Sequence, residues 1–303
     1  MEKKSYIWGV DLGGTKIEAI VIGRDDAQIL IRNRIDTEAQ NGYQHILGQI
    51  KKLIDQIKVE TGQEPNKIGF STPGTLDPGT QLLKNSNTVC MNGQAMKSDL
   101  EAILGVPVLL ANDANCFALA EATMGAAKDL HPEVLFGVIM GTGVGGGLVV
   151  HNKVIAGKHG IGGEWGHNVL DQNGPDCYCG KNGCNETIFA GPALERYYEK
   201  LSGKNKTMKQ IYTDHLSGAD SHASATIDFL LESFAKAISA IINVCDPEII
   251  VLGGGVSNVD LLYTEGVKRI EKYIFNNKKV ETLFLKPALG DSAGVFGAAE
   301  LVR

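Results

Sequence analysis

The stretch Tyr6-Ile7-Trp8-Gly9-Val10-Asp11-Leu12-Gly13-Gly14-Thr15-Lys16 passes from an apolar, β-prone run directly into a glycine turn. Apolar residues then alternate from Ile17 to Val21, so the pattern predicts a β-hairpin. A second segment has the same design: the apolar run 134–140 enters Gly141-Thr142-Gly143-Val144-Gly145-Gly146-Gly147, and Leu148-Val149-Val150 follows. We interpret the two segments, roughly 130 residues apart, as an internal repeat that indicates two similar α/β halves.

Composition and charge limit the function classes. The chain has 303 residues, of which 43% are apolar and 21% charged, as in a soluble protein of about two domains. The net charge is −6 and the sequence contains no basic block, so we expect no nucleic-acid partner. The sequence contains neither a signal-peptide pattern nor an apolar run of roughly 18 residues, so we expect a cytoplasmic protein without a membrane partner.

The 37 glycines exceed ordinary usage, and three glycine turns follow apolar strands. The first turn offers backbone N–H groups, the Thr15 hydroxyl and the Lys16 charge to a phosphate chain, although a plain hairpin turn is the alternative. The second satisfies Gly-x-Gly-x-x-Gly, but a β-prone run rather than a helix follows, which disfavours a dinucleotide-binding fold. With the third turn, Gly253-Gly254-Gly255, the pattern favours a nucleotide held between two halves.

A cysteine loop carries the strongest local signal. His167 is followed by Cys177-Tyr178-Cys179-Gly180-Lys181-Asn182-Gly183-Cys184. Three thiolates and an imidazole match a tetrahedral zinc site, and four protein ligands leave no open position, so the predicted ion is structural. The alternatives are three reduced cysteines near a histidine, or a catalytic zinc with an exchangeable water. Glu164 and Glu186 flank the loop and could hydrogen-bond a polyol or could be solvated.

Asn112-Asp113 follows the short apolar strand predicted over residues 108–110. A carboxylate at the end of a buried strand can accept the proton of an attacking hydroxyl, as phosphoryl transfer requires of a catalytic base. The alternative is that Asp113 caps the helix that follows.

Over essentially its whole length the chain resembles the ROK family of repressors and sugar kinases. The matching segments are 11–16, 72–74, 112–116, 141–147, 164–167, 177–186 and 252–255. The resemblance implies an actin-like, ribonuclease H-type α/β fold that is duplicated into two lobes with a cleft between them. We expect a small lobe over residues 1–117, completed by a C-terminal helix at about 291–303, and a large lobe over 118–290 that carries the zinc loop 167–184.

The resemblance further implies an ATP-dependent kinase that phosphorylates a hexose at its 6-hydroxyl, with ATP, Mg²⁺ and a structural Zn²⁺. Asp113 would be the catalytic base. The implied sugar contacts are Gly74, Asn87, Asn112, Asp113, Glu164, His167 and Glu186. The implied ATP and Mg²⁺ contacts are Asp11, Gly13, Gly14, Thr15, Lys16, Thr142, Gly143, Gly145, Gly146, Gly254 and Gly255. The implied zinc ligands are His167, Cys177, Cys179 and Cys184, with one imidazole nitrogen of His167 on the metal and the other on the sugar.

Within the family, segments 84–87 and 163–168 resemble the bacterial fructokinase and mannokinase branch, so we expect fructose as the substrate, with mannose or glucose as further acceptors. Segments 115–118 and 143–147 equally resemble N-acetylglucosamine kinases, and an N-acetylglucosamine kinase or a glucokinase is the alternative. A sugar-responsive transcriptional regulator is a remote alternative, because such regulators carry a helix-turn-helix domain ahead of the first glycine turn, which begins here at residue 11. We expect a homodimer.

Overall fold

The structure is a computed structural model, and it describes residues 5–277 and 279–303. Its contacts divide the chain into two compact units, one with residues up to 131, 147–162 and 288–303, the other with residues 132–146 and 163–287. The boundary expected at residue 117 falls inside a helix whose two ends both belong to the first unit, so that unit extends further along the chain. Residues 1–4 and 278, which the expected lobes include, lie outside the described residues.

The regular elements alternate between strands and helices along the chain. The strands are β1 Tyr6–Leu12, β2 Lys16–Gly23, β3 Ile29–Asp36, β4 Ile68–Thr72, β5 Thr75–Leu76, β6 Leu83–Lys84, β7 Val108–Asn112, β8 Val134–Met140, β9 Val144–Val150, β10 Lys153–Val154, β11 Ile249–Gly253 and β12 Leu283–Leu285. The helices are α1 Tyr43–Thr61, α2 Met96–Leu104, α3 Asp113–Thr123, α4 Asn185–Phe189, α5 Gly191–Ser202, α6 Met208–Ser217, α7 Ser221–Cys245, α8 Glu265–Ile270 and α9 Ala293–Glu300.

The first unit is built on a sheet of order β3-β2-β1-β4-β7. β1 and β2 form the predicted antiparallel hairpin, while β4 runs parallel to β1 and β7 parallel to β4. Helix α9 packs so closely on this sheet that a Cβ on Gly69 would lie 1.8 Å from the Ala298 carbonyl oxygen. Helix α1 buries the predicted apolar stripe, including Ile46, Ile50 and Ile57, and each such side chain stabilises the fold by roughly 1.5–3 kcal/mol. Residues 147–154 complete β9 and add β10, which pairs with it.

The second unit contains β8, β11 and β12 in full, together with the first residues of β9. These strands lie in the order β9-β8-β11-β12. β11 runs parallel to both β8 and β12. The long helical period predicted from Ile227 onwards forms α7, whose apolar face is buried as far as Ile242, whereas Cys245 is only half-buried. Each of the two five-stranded sheets therefore places a strand, a glycine turn and a strand beside a parallel neighbour, which confirms the predicted internal repeat. No helix in the described ranges combines the length and apolar character that crossing a membrane would require.

Candidate functional site

In the first unit, the turn between β1 and β2 exposes the backbone that was predicted to face phosphate. The Gly13 N–H donates to the Lys16 carbonyl oxygen at 2.9 Å, which closes the turn and leaves Gly14 and Thr15 exposed. Thr37, the residue that follows β3, braces the turn, because its hydroxyl donates to the Gly13 carbonyl at 2.7 Å and its N–H donates to the Thr15 carbonyl at 2.9 Å. A fixed turn with exposed amide groups is the arrangement that an anion requires.

Asn87 lies beside this turn. Gly14, Thr15 and Asn87 line one open cavity of about 630 Å³. Asn87 is itself exposed, and the chain before it is held because the Asn92 amide both accepts from the Ser86 N–H and donates to the Ser86 carbonyl, each at 2.8 Å. One predicted sugar contact and two predicted phosphate contacts thus share a single surface of the first unit.

Asp11 stands in the middle of the first sheet, level with Ser71 on β4 and with Glu18 on β2. Burial raises the pKa of the Asp11 carboxyl above its ordinary value; the Ser71 hydroxyl and the Lys16 charge act in the opposite direction, and the charges of Asp113 and Glu18 add to the rise. Gly294 makes room for this carboxylate, because a Cβ there would lie 2.8 Å from both of its oxygens. Asp11 is thus a partly desolvated carboxylate within the electrostatic influence of Asp113 and Glu18. Such a group is suited to hold a divalent cation, directly or through water.

Asn112 and Asp113 lie at the junction of β7 and α3. Asn112, rather than Asp113, is the N-cap of α3, since its side-chain oxygen accepts from the Asn115 N–H at 2.9 Å. Asp113 is the first helical residue, its carboxylate accepts from the Ala114 N–H at 2.8 Å, and it keeps contact with solvent. Protein atoms nevertheless crowd the carboxyl, and this desolvation raises its pKa above the ordinary value. The capping alternative for Asp113 is therefore wrong, and a raised pKa suits a base that must accept a proton.

Gly74 follows β4 and needs to be glycine. Its φ is +153°, and a Cβ would lie 2.8 Å from the Lys84 carbonyl oxygen. The Gly74 N–H donates to the Thr72 carbonyl at 2.9 Å, which folds the chain back immediately after the strand. This tight turn brings the backbone of the segment close to its surroundings, as a predicted sugar-facing loop requires.

In the second unit, the glycine-rich segment that follows β8 begins as an exposed turn and continues as the start of β9. The Gly141 N–H donates to the Gly143 carbonyl at 2.9 Å and Thr142 is exposed at the tip. Gly146 is buried, and a Cβ there would lie 2.5 Å from Trp165, whose indole N–H donates to the Gly145 carbonyl at 2.9 Å. Gly145 and Gly146 therefore serve the packing of β9, and their predicted contacts with ATP stay predictions.

A cavity of about 860 Å³ opens beside this turn. Its walls come from the 141–142 turn, the start of α5, helix α6 and the third glycine turn. The residues that line it include Gly141, Thr142, Pro192, Met208, Tyr212 and Gly255. Gly254 shapes the turn, because its φ is +81° and a Cβ would lie 2.3 Å from the Met140 carbonyl oxygen. A pocket with glycine turns at one end and Met and Tyr side chains on a wall fits a nucleoside.

Four predicted metal ligands lie together in the second unit. The ligand atoms of His167, Cys177, Cys179 and Cys184 are all within 4.8 Å of one another. Cys177 Sγ is 3.5 Å from His167 Nδ1, and Cys179 Sγ is 3.6 Å from Cys184 Sγ. Tetrahedral zinc with bonds of about 2.0–2.3 Å requires ligand separations of roughly 3.5–3.8 Å, so the donor set and its spacing fit zinc. Burial raises the pKa of the Cys184 thiol to about 12, so binding a cation must displace its proton.

The two acidic residues that flank the cysteine loop occupy different settings. Glu186 lies in the first turn of α4, and its carboxylate accepts from the Val144 N–H at 3.0 Å, which ties it to the loop between β8 and β9. Gly143 leaves room for it, since a Cβ there would lie 2.4 Å from the same carboxylate and would push the Glu186 side chain aside. Glu164 is half-buried immediately before the short 3₁₀ helix Trp165–His167. Both residues flank His167 in the chain, and His167 turns its Nε2 toward the Tyr178 hydroxyl at 3.0 Å.

Two features of these sites were missing from the sequence prediction. Helix α6 has no counterpart among the elements predicted from the sequence, although Thr207 and Gln210 form a capping box and that Thr-x-x-Gln spacing could have indicated its start. The sequence pattern assigns Tyr178 no role beyond its place between Cys177 and Cys179. Because a residue between two metal ligands cannot be far from the metal site, its position was the available signal.

Comparison with known proteins gives one consistent result. A model of the ROK family matches residues 7–303. The N-acetyl-D-glucosamine kinase of Aliivibrio fischeri is 36% identical, covering 97% of this chain and 98% of that protein. Among solved structures, the ROK hexokinase of Thermus thermophilus has a TM-score of 0.86 at 31% identity, covering 98% and 97% of the two chains. A ROK family glucokinase from Streptomyces griseus, solved with glucose and AMPPNP, has a TM-score of 0.76 at 25% identity, covering 98% and 99%.

Proposed function

Because the chain belongs to the ROK family, we propose that it is an ATP-dependent N-acetylglucosamine kinase that phosphorylates the 6-hydroxyl of the sugar. The structural observation that carries the kinase part is Asp113, a carboxylate that does not cap its helix and whose surroundings raise its pKa. It lies in the same unit as Asp11 and the exposed phosphate-facing turn at Gly14 and Thr15.

The choice of sugar follows the relatives and revises the expectation of fructose. Relatives named N-acetyl-D-glucosamine kinase, from Aliivibrio fischeri and Vibrio atlanticus, are 36% and 37% identical over 97% of the chain. These relatives support the alternative drawn from segments 115–118 and 143–147 better than they support fructokinase. Glucose remains a second acceptor in this proposal, because the similar Streptomyces griseus enzyme was solved with glucose and AMPPNP.

In the proposed reaction the sugar O6 attacks the γ-phosphorus of ATP, the bond from that phosphorus to the bridging β,γ-oxygen breaks, and ADP leaves. Asp113 accepts the proton of O6, and its raised pKa brings its proton affinity closer to the one that the transfer needs. The buried side chain of Asn112, fixed at 2.9 Å by the Asn115 N–H, positions the neighbouring sugar hydroxyl. In the first unit Lys16 and the turn amides neutralise phosphate charge.

Three groups would complete the site. The nucleoside would occupy the cavity of about 860 Å³ that Thr142, Tyr212 and Gly255 line in the second unit. Asp11 would hold Mg²⁺, directly or through water, and the ion supplies charge neutralisation of the phosphates. A structural Zn²⁺ on His167, Cys177, Cys179 and Cys184 would fix the loop that Glu164 and Glu186 flank.

The product identifies the reaction. After incubation with ATP, Mg²⁺ and N-acetylglucosamine, ³¹P–¹H correlation should join the new phosphate to the two protons on C6. A phosphate at C1, or ATP hydrolysis without a sugar phosphate, would contradict the assigned attack by O6. Zinc analysis of the purified protein should give about one ion per chain.

We also propose that the protein is a cytoplasmic homodimer. The cytoplasmic location carries over the expectation drawn from the sequence, and the homodimer carries over the expectation drawn from the family resemblance. Light scattering of the purified protein should give the mass of two chains, and the mass of one chain would contradict the dimer.

A further inference from the structure

Tyr178 is the exposed residue between two of the metal ligands, and it makes one well-defined polar contact. It is 84% exposed, yet its hydroxyl is 3.0 Å from His167 Nε2 and its ring meets the imidazole edge-on, with centroids 5.1 Å apart. An exposed tyrosine has little reason to adopt one position unless its hydroxyl gains a partner. The partner here is the imidazole nitrogen that remains when the other one serves the metal.

The two nitrogens of His167 have different neighbours. Nδ1 lies 3.5 Å from Cys177 Sγ, inside the cluster of four donors, whereas Nε2 points to Tyr178. A cation on Nδ1 leaves the proton on Nε2, which is then a single donor. A single N–H donor satisfies one acceptor well, so the Tyr178 oxygen and a sugar oxygen compete for it.

We propose that the Tyr178 hydroxyl takes the place of a substrate hydroxyl on His167 in the unliganded protein, and that the sugar must displace it to bind. The proposal rests on the proposed function, because it assumes that His167 Nε2 contacts the sugar. Displacement requires no repacking of the core, since most of the Tyr178 side chain is already in solvent. Tyr178 therefore sets the affinity for the sugar and leaves the chemical step unchanged.

The test replaces the hydroxyl alone. Tyr178→Phe removes the competing acceptor, so KM for N-acetylglucosamine should fall about two- to tenfold, the equivalent of one ordinary hydrogen bond, while kcat stays the same. Tyr197→Phe is the matched control, because that ring belongs to α5 and stacks on Phe229 with centroids 4.1 Å apart. Zinc content and melting temperature should be unchanged in both variants. An unchanged or higher KM for Tyr178→Phe would overturn the proposal.

A second measurement separates this proposal from the proposed function. The ¹⁵N shift of His167 Nε2 in the unliganded, zinc-loaded protein reports its hydrogen bond without any sugar. It should differ between the wild type and Tyr178→Phe and remain unaltered in Tyr197→Phe. An identical Nε2 signal in the wild type and Tyr178→Phe would overturn the displaced-hydroxyl proposal, whereas a wild type that phosphorylates no hexose would overturn the proposed function.

Discussion

Replacing Asp113 by Asn tests the assigned base with little disturbance of the fold. Asn has the same shape, and its side-chain oxygen can still accept from the Ala114 N–H, which the carboxylate accepts at 2.8 Å. Asn112 remains the N-cap of α3 in this variant, so the helix keeps its side-chain cap. The variant therefore loses proton affinity while keeping the local geometry.

The expected loss lies in the chemical step. A positioned general base contributes about 10²–10⁴-fold to the rate, which corresponds to about 2.7–5.4 kcal/mol of activation free energy. Sugar binding should change much less, because Asn112 and the residues of the second unit remain. We expect kcat to fall by that factor, with KM for the sugar within a few-fold of the wild type.

The direction of the pKa shift gives a stability control. A carboxyl whose pKa is raised by folding favours the folded state most below its unfolded pKa, and that contribution is lost as the pH rises through the folded pKa. The Asp113 pKa is raised by desolvation, so the charged form costs stability at neutral pH. Asp113→Asn removes that cost, and its melting temperature should equal or exceed the wild-type value.

Stopped and coupled assays of ADP release measure kcat and KM. Calorimetric melting of both proteins measures their melting temperatures. The pKa of the acid limb in the wild-type kcat/KM profile should lie above the ordinary Asp value of about 3.9. Activity should be lost as the pH falls through the pKa of this limb, because the base becomes protonated. An Asp113→Asn enzyme with kcat within about threefold of the wild type would refute the assignment of the base. A large loss of kcat with a sharply lower melting temperature would refute the argument that the fold is preserved.

Two further predictions concern the second unit. Cys184→Ala should reduce bound zinc to well below one per chain and lower the melting temperature, whereas Cys245→Ala, at a half-buried cysteine outside the cluster, should retain the metal; full zinc occupancy in Cys184→Ala would contradict the site. Gly254→Ala should raise KM for ATP about tenfold or more, because a Cβ there would lie 2.3 Å from the Met140 carbonyl oxygen and distort the third glycine turn. The KM for the sugar should stay close to the wild-type value. Gly203→Ala is its control, with φ +69° but open space around the added Cβ, and equal effects of the two would exclude the clash as the cause.

Local patterns made much of the fold predictable. The hairpin of β1 and β2, its counterpart in the second unit and the apolar face of α7 all follow from alternation or helical period over adjacent residues. The four-donor cluster was equally predictable, because three of its ligands occur within eight residues and short glycine turns bring them together. The duplicated α/β fold of the actin-like type is confirmed by the order of the two sheets and by the similar ROK structures.

Features that depend on contacts distant in the chain were not predictable. The role of Gly146 depends on Trp165, which packs where a Cβ would be, and the sequence alone cannot distinguish that packing from a phosphate contact. Whether Asp113 caps its helix depends on the side chain of its neighbour Asn112, since either residue type can serve as a cap. The division of the chain at residue 131 rather than 117 likewise follows from α3, which packs against α9 from the far end of the sequence.

The acceptor preference tests the central claim most directly. ADP release should be followed with ATP, Mg²⁺ and each of N-acetylglucosamine, glucose, mannose and fructose, and compared as kcat/KM. The account predicts the highest kcat/KM with N-acetylglucosamine, with glucose as a weaker acceptor. A higher kcat/KM with fructose would contradict the proposed substrate, and the absence of turnover with all four hexoses would contradict the kinase itself.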